Sequence, residues 1–198
     1  NRGSARTAPK GIACLLESAR PIGRMKRAPL GGRWLAGCLL GTTVLMPLSV
    51  AGQTWLGATS DYGTASNWDP ATVPSGGVTA NFTNSGSATV DISGVHSAGS
   101  LDFASNAQAY TFNVNGALFL QGAGIANSSG RTQTFTASTV GSNVSFFTNA
   151  EAGDALFRLS GNSAVHFNGA SKAGTATFDI VGSRLDAAST ASLDRATI

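Results

Sequence analysis

Charged side chains are scarce in this chain of 198 residues, only 12% of it, and with 25 glycines beside them an ordinary mixed globule is a poor description. Cysteine is scarcer still: Cys14 and Cys38 are the two present, too few for a disulfide scaffold. Beyond residue 52 there is no long apolar run. An apolar content of 42% nevertheless excludes a fully disordered chain.

Positive charge is confined to one end. Eight of the thirteen Lys and Arg residues precede residue 52, against a single acid, Glu17, so that segment carries +7. Residues 52–198 hold five cations and nine anions and carry −4. The overall +3 therefore misdescribes the body. An acidic body without a basic stripe offers no footprint for phosphate neutralisation, which argues against nucleic acid as a partner.

A targeting segment explains the asymmetry. Met25-Lys26-Arg27 and Arg33 lead into the uncharged, largely apolar residues 34–50, and Ser49-Val50-Ala51 supplies the small residues that signal peptidase requires. Residues 25–51 are expected to be a helical signal peptide read by the Sec export machinery and cut after Ala51. A membrane anchor fits less well, because the stretch falls short of ~20 apolar residues, contains Pro47 and has no cation after it until Arg131. Leu35-Ala36-Gly37-Cys38 mimics a lipoprotein box, but the apolar stretch follows its cysteine instead of preceding it. Residues 1–24 begin without Met and lack apolar periodicity, which reads as an unstructured leader or upstream extension. Both cysteines fall in the discarded part. A thiol-free mature chain suits export, unfolded, through an oxidising compartment.

The body reads as short strands and many turns. Short apolar or β-branched clusters occur at 78–82, 88–92, 100–103, 110–114, 117–120, 132–136, 144–147, 155–159, 164–167, 176–181 and 196–198. Gly, Asn, Ser and Asp separate them, residues that supply positive φ or close turns with their own side chains. No segment holds a helical apolar stripe for three turns.

Internal repetition is the most informative feature. Ala152-Gly153-Asp154-Ala155-Leu156-Phe157 recurs, at a spacing of 21, as Ala173-Gly174-Thr175-Ala176-Thr177-Phe178. Ala170-Ser171-Lys172-Ala173 recurs at a spacing of 18 as Ala188-Ser189-Thr190-Ala191. A period near 20 fits one winding of a parallel β-helix, right-handed as parallel crossovers are, with windings stacked at about 4.8 Å. An antiparallel sandwich also shows short, regularly spaced strand signals, but similarity at a full-winding spacing favours the solenoid. Residues 52–198 would make roughly seven windings at ~20 residues each. Phe157, Phe178 and Ile198 are expected to form one inward stack, and Phe167 with Leu185 another.

Thr54-Trp55-Leu56-Gly57, Ala65-Ser66-Asn67-Trp68, Val73-Pro74 and Ala80-Asn81-Phe82, in that order, resemble the start of bacterial autotransporter passenger domains carrying β-strand repeats. Ser100-Leu101-Asp102-Phe103 and Leu118-Phe119-Leu120 continue the pattern. The Gly-rich run from Gly122 to Gly130, followed by Gln133-Thr134-Phe135, resembles the turn and strand that recur in the same family. The resemblance implies a signal peptide, a β-helical passenger displayed outside the cell and a C-terminal outer-membrane barrel. Residues 52–198 lack the alternating ~10-residue strands of such a barrel and are expected to be an incomplete passenger region.

Catalytic signals are thin, and no catalytic, cofactor-binding or metal-binding residue is assigned. His96 and His166 lie far apart without metal-ligand partners. Gly161-Asn162-Ser163-Ala164 faintly resembles a serine-nucleophile loop, with His96 and Asp102 as nominal partners, yet a triad is a matter of geometry. His166 alternates with Val165 and Phe167 and is expected to point outward. Gly122-Ala123-Gly124 is a broken dinucleotide fingerprint, better read as a turn. The eight aspartates form no calcium-binding array. Trp55 and Trp68 fall where the first winding exposes its edge and are expected to cap it, a sugar-stacking platform being the alternative. The expectation is a non-enzymatic passenger at the cell surface or outside it, structural or adhesive toward a host or cell-surface polymer. The runner-up is a secreted polysaccharide-active enzyme, and a third class is a secreted matrix or wall-binding protein never tethered to a barrel.

Overall fold

The computed structural model describes residues 52–198. The signal-peptide, lipoprotein-box and leader readings lie outside them. The described chain begins with β1 (Gln53–Trp55), a 3₁₀ turn at Ala65–Asn67, β2 (Trp68–Asp69), β3 (Thr79–Phe82), β4 (Thr89–Ile92), β5 (Val95–Phe103) and β6 (Thr111–Val114). It continues through β7 (Ala117–Asn127), β8 (Thr134–Ala137), β9 (Asn143–Phe146), β10 (Leu156–Leu159), β11 (Ala164–Phe167), β12 (Thr177–Ile180) and β13 (Arg184–Ala187).

From β3 to β13 every strand pairing is parallel, and partners are one winding apart in sequence. The protein is an all-β parallel solenoid. Each winding passes three stations. The first is the five-stranded sheet β4-β6-β8-β10-β12. The second runs through residues 95–98, residues 117–120, β9, β11 and β13. The third runs through β3, residues 100–103 and residues 124–127, then narrows to single bridges at Glu151, Lys172 and Ser192. Five strands at the first station mean about five windings, not seven. The shortfall has two causes: residues 52–78 go mostly into an end cap, and the early windings are longer than the one that the sequence repeat measures.

Stacked phenylalanines hold the interior at all three stations, Phe82 on Phe103 at 5.0 Å at the third. At the first station Phe112, Phe135, Phe157 and Phe178 stack at centroid separations of 4.6, 5.1 and 5.0 Å. At the second, Phe146 and Phe167 stack at 4.8 Å. The ladders meet edge to face, Phe146 against Phe157 at 6.1 Å and Phe167 against Phe178 at 6.2 Å. Each ring is buried, which contributes roughly 1.5–3 kcal/mol per side chain.

The repeat that carries Phe157 onto Phe178 is therefore a winding, the two being strand partners. The spacing of 18 is not. Lys172 partners Ser192, and Leu185 partners Val165, while Phe167 partners Ala187 and stacks on Phe146. The expected pair of Phe167 with Leu185 is thus displaced by two positions along the strand. Ile198 is 72% exposed and does not extend the Phe157–Phe178 stack inward.

Corners between stations need left-handed backbone. At one corner Thr148, Gly169 and Ser189 all adopt positive φ, at 59°, 69° and 61°. Their carbonyls carry the next winding: Ala170 N–H donates to Thr148 and Thr190 N–H to Gly169. A β-branched threonine is strained there. Gly122-Ala123-Gly124 is not a turn between windings but part of β7, bent at Gly124 (φ 88°), where a Cβ would lie 2.2 Å from the Glu151 carbonyl oxygen.

The first winding is capped as the sequence suggested. β1 lies parallel on β3 and antiparallel to β2, and Trp55, Tyr62 and Trp68 are fully or almost fully buried. The Trp55 and Trp68 rings meet at 5.0 Å and sit on Phe82 at 6.1 and 5.8 Å. Trp55 Nε1 donates to Ser87 O and Trp68 Nε1 to Tyr62 O, so neither indole is left unpaired. Burial pushes the Tyr62 phenol above its ordinary range.

Two substitutions test this account. Phe157→Ala should cost about 3–5 kcal/mol in urea unfolding, because it empties the middle of a ladder, and a cost under about 1 kcal/mol contradicts the stack. Thr148→Asn should raise stability by about 1 kcal/mol through relief of left-handed strain, and a lowered midpoint would count against the corner geometry.

Candidate functional site

Because successive residues of a strand face opposite sides, the register that stacks phenylalanines inward also stacks rows outward. At the second station one outward row runs Ser97, Phe119, Ser145, His166, Asp186, each the strand partner of the next. His166 does point outward. Its Nδ1 lies 3.0 Å from Asp186 Oδ2. Arg184, two positions before Asp186 on β13, donates to the same carboxylate oxygen. That hydrogen bond holds the Asp186 carboxyl below the ordinary carboxylate range, desolvation partly opposes it, and the charges of Arg184 and His166 lower it further. Ser145 is covered by its neighbours, and its Oγ donates to Asn143 Oδ1 at 3.2 Å. Phe119 meets Phe147 edge to face at 5.8 Å, and both rings are only half-buried. A hollow of about 190 Å³ beside the row is lined by Asn143, Asn162, Ser163, His166 and Arg184 among others.

A second concave region, about 570 Å³, follows the corner that leads from the third station to the first. Glu151, Lys172, Thr175, Asp194 and Arg195 line it, over the side-chain-free Gly153 and Gly174. Lys172 Nζ sits 3.5 Å from Glu151 Oε1 across one winding. Both side chains are half exposed, so the pair holds little energy and is open to exchange with a polar ligand.

The residues singled out from sequence are otherwise dispersed. His96 lies in the inward row opposite Leu118, with Nε2 2.9 Å from Ser93 O and its ring 5.1 Å from Tyr62. Asp102 faces outward at the third station, and Ser163 is buried, donating to Ala137 O. The structure does not bring those three together. Trp55 and Trp68 are closed into the cap, so the sugar-stacking alternative loses both rings; the outward aromatics at the second station are Phe119 and Phe147. Among the described residues no cluster of three or more His, Cys, Asp or Glu side chains is arranged to hold a metal ion, and no helix is long and apolar enough to cross a membrane.

Sequence reasoning missed the row of Ser145, His166 and Asp186. The signal was present as spacing: 145, 166 and 186 differ by 21 and 20, one winding each.

Against known protein families, curated proteins and solved structures, the chain finds no match.

Arg184→Ala should move the Asp186 titration midpoint upward, toward the ordinary carboxylate value, in an NMR pH titration. The sign follows from linkage. A carboxyl lowered in the folded state adds stability above its unfolded pKa, about 3.9, and that stability is lost as pH falls through the folded value. An unchanged midpoint would contradict the Arg184 contact.

Proposed function

We propose that residues 52–198 are part of an exported, autotransporter-like passenger whose solenoid serves a structural or adhesive role at the cell surface or outside it. One observation carries the reading: every strand pairing from β3 to β13 is parallel, with one register shift between Ala98 and Ser100, which makes a rod with repeated outward rows. Such rows repeat at about 4.8 Å along the rod. Support for export comes from the +7 segment and the small residues ending at Ala51, and support for the family from the ordered motifs of residues 54–135. The partners this implies are the Sec machinery, an outer-membrane barrel in the full-length protein and a host or cell-surface polymer. A rod in this role needs no bond-breaking chemistry.

A second reading, a secreted polysaccharide-active protein, is favoured by one feature. It calls for cations and carboxylates in one groove, and Lys172, Arg195, Glu151 and Asp194 line one. Release of reducing or unsaturated sugars from polysaccharide panels would support it, and silence across the panels would leave the adhesive rod.

Expressed from its own precursor in a Gram-negative host, the mature chain should begin at Gly52 by mass spectrometry and be removed from intact cells by added protease. A chain retaining residues 34–50, a diacylglycerol on Cys38, or full protection from protease would overturn the export reading.

A further inference from the structure

The windings that build the rod also build a column of three chemically distinct side chains. Ser145, His166 and Asp186 are successive strand partners, so neighbouring Cα atoms in the column are about 4.8 Å apart. The His166–Asp186 contact of 3.0 Å is made through Nδ1, which leaves Nε2 as the free nitrogen. Arg184 keeps the Asp186 carboxyl ionised against that ring. On the other side of His166, its strand partner Ser145 carries a hydroxyl whose one hydrogen bond is a neutral 3.2 Å contact, donated to Asn143 Oδ1 and not to His166. Next in the column comes the half-buried ring of Phe119, the strand partner of Ser145, which meets the half-buried Phe147 ring edge to face and makes an apolar surface. On the far flank, Asn143 and Arg184 line the 190 Å³ hollow with His166 and offer hydrogen-bond donors.

From this arrangement we infer that Ser145, His166 and Asp186 form a hydrolytic site for carboxylic esters with a short apolar acyl group, an activity beyond the rod's role. Ser145 Oγ bonds to the ester carbonyl carbon while His166 Nε2 takes its proton. The ester C–O bond then breaks, and the leaving alkoxide recovers that proton from His166. Water, deprotonated by His166, bonds to the acyl carbon, the acyl–Oγ bond breaks, His166 returns the proton to Ser145 Oγ, and the carboxylic acid leaves. Asp186 acts through His166 and is a positioning residue. The acyl group lies against Phe119 and Phe147.

The full chain is incubated with a fluorophosphonate probe, the label is located by mass spectrometry, and p-nitrophenyl butyrate hydrolysis is followed across pH. Ser145 is 5% exposed, so the label also reads whether its hydroxyl can be reached. The expected result is label on Ser145 and hydrolysis that rises with pH. Ser145→Ala should abolish both, and His166→Ala should lower both by a factor of about 100 or more. Asp186→Asn should lower hydrolysis about tenfold or more and distort the pH profile, with the unfolding midpoint of Ser145→Ala as the folding control. No label on Ser145, equal labelling of His166→Ala, or undiminished hydrolysis by a folded Ser145→Ala variant overturns the site. None of those outcomes bears on export or surface display, which the protease and mass measurements decide separately.

Discussion

Burying a phenylalanine at the same station in four successive windings obliges each of them to lie directly on the one before it. The rings of Phe112, Phe135, Phe157 and Phe178 are separated by about the distance that parallel strands impose on their backbones, so ring stacking and ladder hydrogen bonding are satisfied by one register. Slipping the register by one residue would turn the whole phenylalanine row to solvent. The loops, by contrast, are free to vary. Leu118 partners Val144 at a spacing of 26, whereas Val165 partners Leu185 at 20, and the difference is taken up outside the strands.

The same stacking explains why charge is so sparse. In a parallel solenoid every outward residue faces its counterpart one winding away, at about 4.8 Å, where two like charges cost about 0.9 kcal/mol even at the dielectric constant of water. A charged residue repeated with the period would accumulate that cost along the rod. Most charges that stand in columns alternate in sign or meet a neutral partner. Arg158 faces Asp179, Glu151 faces Lys172, and Asp91 accepts from Asn113. Asp61 opposite Asp91 is an exception, and there the Thr64 and Ser60 hydroxyls donate to the two carboxylates. The acidic residues of the body are in this sense placed by the architecture before any ligand is considered.

How much of this was legible depended on whether a feature is set by period or by local conformation. The pairing of Phe157 with Phe178 could be read directly, because a whole segment repeats at the winding length. The match at a spacing of 18 misled, because Ala and Ser recur at corners for conformational reasons, and a few small residues align at several offsets. Positive φ at Thr148 had no sequence signal, since threonine is a poor choice for that backbone. The bend at Gly124 was legible as glycine but not as strand, because close approach of the Glu151 backbone becomes apparent only once the windings are stacked. Trp55 and Trp68 were assigned to the cap on the argument that an open edge must be covered, and that physical requirement proved sufficient.

In a compact globule, side chains from three remote segments meet only when the whole tertiary arrangement conspires to bring them together. A parallel solenoid reaches the same end by arithmetic. Any outward residue becomes the neighbour of the one a winding later, so Ser145, His166 and Asp186 need only the right spacing and the right face. Their backbones are fixed by interior ladders that no outward substitution disturbs, which leaves the column free to change chemistry without loss of fold. Functional residues in such a chain are therefore to be sought by reading the sequence at offsets of 20 to 26, along columns, instead of by searching for contiguous motifs.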